Sequence, residues 1–117
     1  MVQYRQLKLD EVGDVTVVHF RESRITGTAE IESLGQELYQ LVEKEDRRWL
    51  VLNLSAVQAL SSAAFGKLIS LNGRVKAHHG AIKLCNVQPQ VLEVFRVCKL
   101  DHVFDICDDQ EDALQSI

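Results

Sequence analysis

Two adjacent serines, Ser61 and Ser62, are the side chains best placed for chemistry in this sequence. They fall where the loop Ser55–Ser61 ends and an apolar-periodic stretch begins near Ser62. A hydroxyl at a loop-to-helix junction lies beside the unpaired backbone N–H groups of the first turn. Those donors and the helix dipole favour a phosphate there. Phosphorylation would add about −1.5 to −2 charge to a surface that otherwise shows Leu60, Ala63 and Ala64. An apolar contact patch would then have to desolvate a dianion, which breaks binding without unfolding a domain. The plain alternative is that a serine here is a helix cap, worth about 1 kcal/mol. With two in tandem, one can cap while the other stays free.

Other residues point to no catalysis. The carboxylates form no pair on an apolar background of the kind that serves general acid–base work. His78 and His79 are adjacent, so on a helix they diverge by roughly 100° and do not clasp a metal as an i, i+4 pair would. Cys85, Cys98 and Cys107 are odd in number and widely spaced, without a CxxC pair; buried free thiols are expected. There is no GxGxxG or Walker-type loop and no nucleophile elbow. The expectation is a non-enzyme with no cofactor and no metal site.

The 117 residues suit one domain with its own core, expected to span 1–117. Aromatic residues make up 6% and the net charge is −4, which argues against nucleic acid. Charge is uneven: Lys67–Lys99 carries a net +5, whereas Asp101–Ile117 holds only acidic charges. Arg21, Arg24, Lys67, Arg74 and Lys76 are candidates to rim a partner surface. No apolar run approaches the roughly 20 residues that cross a bilayer, and the first ten residues alternate apolar and polar rather than forming a leader. A cytoplasmic protein, without direct membrane insertion, monomeric or weakly dimeric, is expected.

The elements that must position the serines alternate strand and helix. Tyr4–Leu9 reads as a first strand, Glu11–Asp14 as a turn, and Val15–Phe20 as a β-branched second strand paired with the first. Thr28 caps a helix over Ala29–Lys44, with Ile31, Leu34, Leu38, Leu41 and Val42 at helical spacing. Trp49–Leu54 is an apolar run suited to a strand covered on both faces. A second helix runs from near Ser62 to about His78, burying Phe65, Leu68, Ile69 and Val75. Gly80 ends it. Ala81–Cys85 is a fourth strand, Pro89 opens a third helix with Val91, Leu92, Val94 and Phe95, and Val103–Ile106 is a fifth strand. Asp108 caps a final helix. The order β-β-α-β-α-β-α-β-α implies an α/β mixed sheet: an N-terminal hairpin plus parallel βα units, packed against about four helices.

The stretch Leu52–Gly66, with its apolar strand, polar turn and Ser61-Ser62-Ala63-Ala64 tetrad, resembles the signature segment of the STAS domains, the family of bacterial anti-sigma factor antagonists. Pro89–Leu100 and Val103-Phe104 resemble the family's later helix and last strand, so the likeness runs through nearly the whole chain. It implies a regulatory protein-binding module whose partner is an anti-sigma factor that is also a serine kinase, or a related signalling protein. By position, the phosphorylated residue is Ser62, with Ser61 as second choice. The implied contact surface is Thr26, Leu60, Ser61, Ser62, Ala63, Ala64, Phe65 and the exposed side of the second helix. Ser61 stands where the tetrad is usually acidic, Ala64 where it has Gly, and Thr26 where the preceding loop often ends in an acidic residue. The alternative within the family is a constitutive adaptor without phosphorylation, of the kind that accompanies transport ATPases.

Overall fold

The computed structural model describes residues 4–117; Met1–Gln3, with which the expected domain begins, lie outside the described residues. The main sheet has five strands: β1 (Leu7–Val12), β2 (Val15–Phe20), β4 (Trp49–Asn53), β6 (Ala81–Cys85) and β7 (Asp105–Cys107), side by side in that order. β1 and β2 are antiparallel, and every later neighbour is parallel. Helices α1 (Thr28–Glu43), α2 (Ser62–Ala77), α3 (Pro89–Val97) and α4 (Gln110–Ser116) follow in alternation, as the periodicity predicts. Two further short strands, β3 (Arg24–Ile25) and β5 (Ala59–Leu60), pair with each other outside the main sheet. They lie in segments read as loops.

Strand alternation decides which helix covers what. Leu50, Leu52, Leu84 and Val18 belong to the large core filled by α1, α2 and α3 through residues such as Leu38, Leu68 and Phe95. Val17, Val51 and Cys85 point the other way and meet Ala113 of α4. This two-sided cover is why β4 reads as a continuous apolar run.

Several boundaries differ from expectation, each for a local reason. β1 starts three residues later than Tyr4 and runs through Val12, because Val12 pairs with Val15. The turn therefore shrinks to Gly13-Asp14, and Gly13 has φ 62, as a two-residue hairpin with glycine first requires. Thr28 is not the cap of α1 but its first residue; Gly27 is the cap and makes no side-chain bond. Leu100–His102 winds into a short 3-10 turn that sends Phe104 inward, so the fifth strand begins only at Asp105. Asp109, not Asp108, caps α4, with Oδ1 accepting from Asp112 N–H at 2.9 Å.

Gly80 serves otherwise than as a left-handed cap. The left-handed residue after α2 is His79, at φ 63. Gly80 is needed because a Cβ there would lie 2.1 Å from the Arg48 carbonyl oxygen. In α2 the buried stripe is Ala64, Phe65, Leu68, Leu71, Asn72 and Val75. Ile69, expected within it, is 42% exposed. Cys85 is buried and Cys107 half-buried, whereas Cys98 is exposed, against the expectation of buried thiols.

Candidate functional site

The loops after β2 and β4 are stitched into one surface. Ser23 O accepts from Gln58 N–H at 2.7 Å, and Ile25 O accepts from Ser61 N–H at 3.1 Å. The β3–β5 pairing lies between these bonds, with Ile25 opposite Leu60. Thr26 is thereby brought next to the start of α2, and it is exposed. The second loop is held from beneath as well. Buried Val57 anchors it. Asn53 Oδ1 accepts from Ser55 N–H at 3.0 Å while its Nδ2 donates to Gln110 at 2.9 Å. Gln88 Nε2 donates to Ser55 O at 2.7 Å.

The tandem serines divide two roles. Ser61 is the N-cap of α2, and its Oγ accepts from Ala64 N–H at 3.3 Å. Serine and aspartate cap about equally well, so the tetrad's departure at position 61 leaves this bond in place. Ser62 is the first residue of the helix and is exposed, as is Ala63. No acidic residue occupies the first turn, so nothing there opposes the positive end of the helix dipole. Ala64 is wholly buried and its methyl fills core space, which leaves it no surface to offer a partner. Phe65 is 6% exposed. Its ring meets Phe95 edge-on at 4.9 Å between centroids, and Phe95 in turn meets Phe104 at 5.8 Å.

Beside Ser62 an apolar groove of about 340 Å³ opens between α2 and α3, walled by Leu60, Phe65, Ile69, Val94, Cys98 and Leu100. No charged side chain lines it. A second hollow of about 180 Å³ continues past Leu60 and Phe65 toward Gln58 and Gln90. Val97, on the same helix, is 71% exposed. The contribution of α3 is absent from the sequence reading, although a signal existed. Val91, Leu92, Val94 and Phe95 are more apolar residues than one stripe of a nine-residue helix can bury. Only Val91 and Phe95 go inside.

The basic residues named as a rim are partly engaged within the chain. Arg21 Nε donates to Leu7 O at 3.0 Å. Lys67 pairs with Glu32 at 3.2 Å. Arg74 pairs with Glu43 and covers the Tyr39 ring at 3.9 Å. Arg24 and Lys76 are exposed. His78 ends α2 and His79 follows it; among the described residues no cluster of three or more metal-ligating side chains occurs. Burial pushes the Cys85 thiol up to about 11, helped by Cys107 and Asp109.

A mixed sheet with helices on both faces, and a serine-opened helix tied to the neighbouring loop, define a domain of the STAS type. The family model of the STAS domain matches residues 6–113, and the chain belongs to that family. Two similar proteins carry the description "putative anti-sigma factor antagonist". One, BtrV of Bordetella bronchiseptica, is 29% identical over 89 residues, 76% of each chain. The other, a crystal structure from Thermotoga maritima, is 16% identical and superposes with a TM-score of 0.85 over 97% of this chain and 96% of its own. The phosphorylated form of the Bacillus cell fate determinant SpoIIAA, at 15% identity, gives a TM-score of 0.71 over 93% of this chain and 96% of its own. Among the described residues no helix is long and apolar enough to cross a membrane.

Proposed function

We propose that this chain is a single-domain, cytoplasmic regulatory module of the anti-sigma antagonist type, monomeric or weakly dimeric, and not an enzyme. It binds a kinase-type anti-sigma factor through Thr26, Leu60, Ser62, Ala63 and the apolar groove between α2 and α3. That partner transfers the γ-phosphoryl group of ATP to Ser62 Oγ, whose proton is lost, and the product no longer binds. The observation that carries this reading is the division of labour at the start of α2. Ser61 makes the cap, and Ser62 is exposed beside an uncharged groove. A phosphate on Ser62 would meet the free N–H groups of the first turn and would place a dianion at the edge of the apolar contact. Membership of the STAS family and the likeness to BtrV support the antagonist role.

A constitutive adaptor of the same fold is the second reading, favoured by the serine where the tetrad is usually acidic. The two separate in one experiment. The tagged protein is recovered from its native cells, and tryptic peptide 49–67, which holds Ser55, Ser61 and Ser62, is mapped by fragment-ion mass spectrometry together with the bound partner. Phosphate on Ser62, and a kinase-fold partner associated only with the unmodified form, is the expected result. An unmodified peptide with a stable partner that is no kinase establishes the adaptor instead.

A further inference from the structure

Cys85 and Cys107 stand opposite each other across β6 and β7, in the parallel register that pairs Leu84 with Ile106 and Cys85 with Cys107. Residues so paired project to the same face of a sheet. Both thiols lie in the smaller apolar cluster under α4, with Ala113, Leu114 and Ile117. Neighbouring strands are about 4.7–4.9 Å apart, within the roughly 4.4–6.8 Å Cα separation that a disulfide spans. The usual Cβ separation in a disulfide is nearer 4 Å, so closing the bond draws the strands slightly together. The movement falls on β7, a three-residue edge strand free of a strand partner on its outer side among the described residues. Access is graded too: Cys107 is half-buried and Cys85 is sealed.

We propose that Cys85 and Cys107 form a reversible oxidation site that responds to hydroperoxides, separate from the serine site and independent of the function proposed for it. Cys107 meets the oxidant first. Its thiolate attacks the outer peroxide oxygen, the O–O bond breaks, and a sulfenic acid forms while the other oxygen leaves as an alkoxide and takes up the proton the Cys107 thiol released, giving an alcohol (water, from hydrogen peroxide). The Cys85 sulfur then attacks the Cys107 sulfur. The S–S bond forms, the S–O bond breaks, and the hydroxyl departs with the Cys85 proton as water. Two thiols are oxidised and one peroxide is reduced. A dithiol reductant attacks the bond through a mixed disulfide and is itself oxidised as it restores both thiols. Cys85, whose thiol is held protonated by burial, makes the second step the slow one.

The test uses the full chain with the exposed third thiol removed by Cys98→Ser. The folded protein is exposed to hydrogen peroxide, quenched with an alkylating agent and weighed intact, then digested. The expected result is loss of two hydrogens, resistance of both sulfurs to alkylation, and a disulfide joining tryptic peptides 84–96 and 100–117, all reversed by dithiothreitol. Adding Cys107→Ser should abolish the mass change in a protein whose circular dichroism is unaltered. The proposal is overturned if the folded protein stays fully reduced under an exposure that oxidises the same thiols in urea. Accumulation of Cys107 sulfinic acid without the linked peptide overturns it equally.

Discussion

Replacing each of the tandem serines by alanine separates the cap from the exposed hydroxyl. Ser61 Oγ is the acceptor for Ala64 N–H at 3.3 Å, and Ala64 is wholly buried. Ser61→Ala leaves that donor without its partner where water does not readily replace it. The bond is long, so the loss belongs near the middle of the measured range for N-caps, about 1 kcal/mol. In a domain of this size that lowers the melting temperature by roughly 3–5 °C. Ser62, exposed at the first helical position, should tolerate alanine within about 0.5 kcal/mol. Ser61→Asp should restore the cap and gain a few tenths of a kcal/mol, roughly 0.3 or more, from the helix dipole. Urea titrations followed by far-UV circular dichroism give all three values. If Ser62→Ala costs more than Ser61→Ala, the assignment of cap and free hydroxyl is wrong, and with it the reason for choosing Ser62 as the modified residue.

Gly80→Ala forces a methyl against the Arg48 backbone and disturbs the hydrogen bond from Ala81 N–H to Arg48 O at 2.8 Å. It should destabilise by about 2–4 kcal/mol, combining overpacking with a lost hydrogen bond. Gly73→Ala in α2 meets nothing within 4 Å and should stabilise by about 0.5–1 kcal/mol; equal urea midpoints for the two variants would refute the contrast. Cys85 supplies a pH dependence. Its folded value of about 11 lies above the ordinary thiol value of 9.0, so the folded state holds a proton that the unfolded chain releases. The contribution is complete below about pH 9 and is lost as pH rises through the folded value. Between about pH 8 and pH 10.5 the wild type should lose about 2 kcal/mol more than Cys85→Ala. Parallel unfolding curves for the two proteins across that range would contradict it.

The parts of this fold that are legible in the sequence are those governed by local rules. The β-branched run Val15–Phe20 and the two-sided apolar run of β4 dictate their own strands, and the heptad-like spacing from Ile31 to Val42 dictates α1. Three kinds of feature were not legible. The β3–β5 pair depends on backbone bonds between two loops that are 35 residues apart in the register Arg24–Ala59, which no local pattern encodes. The left-handed turn falls on His79 because Gly80 is needed for a close approach to Arg48, a tertiary contact. Ile69 and Val94 obey helical spacing but face a groove, because α3 stands away from α2 at that level. At the site, Ser61 and Ser62 could be placed at a helix start from sequence, whereas which of them caps follows from where the chain enters α2. The burial of Ala64 likewise depends on the rotation of α2 against the sheet.

The central claim is that one charge at Ser62 decides binding. Its most direct test is a calorimetric titration of the kinase-fold partner recovered with this protein against the unmodified chain and the chain phosphorylated on Ser62. Truncating or mispairing a charge at a desolvated contact costs about 2–5 kcal/mol, so the account predicts at least a roughly 30-fold weaker Kd for the phosphorylated form. Equal affinities for the two forms would contradict it.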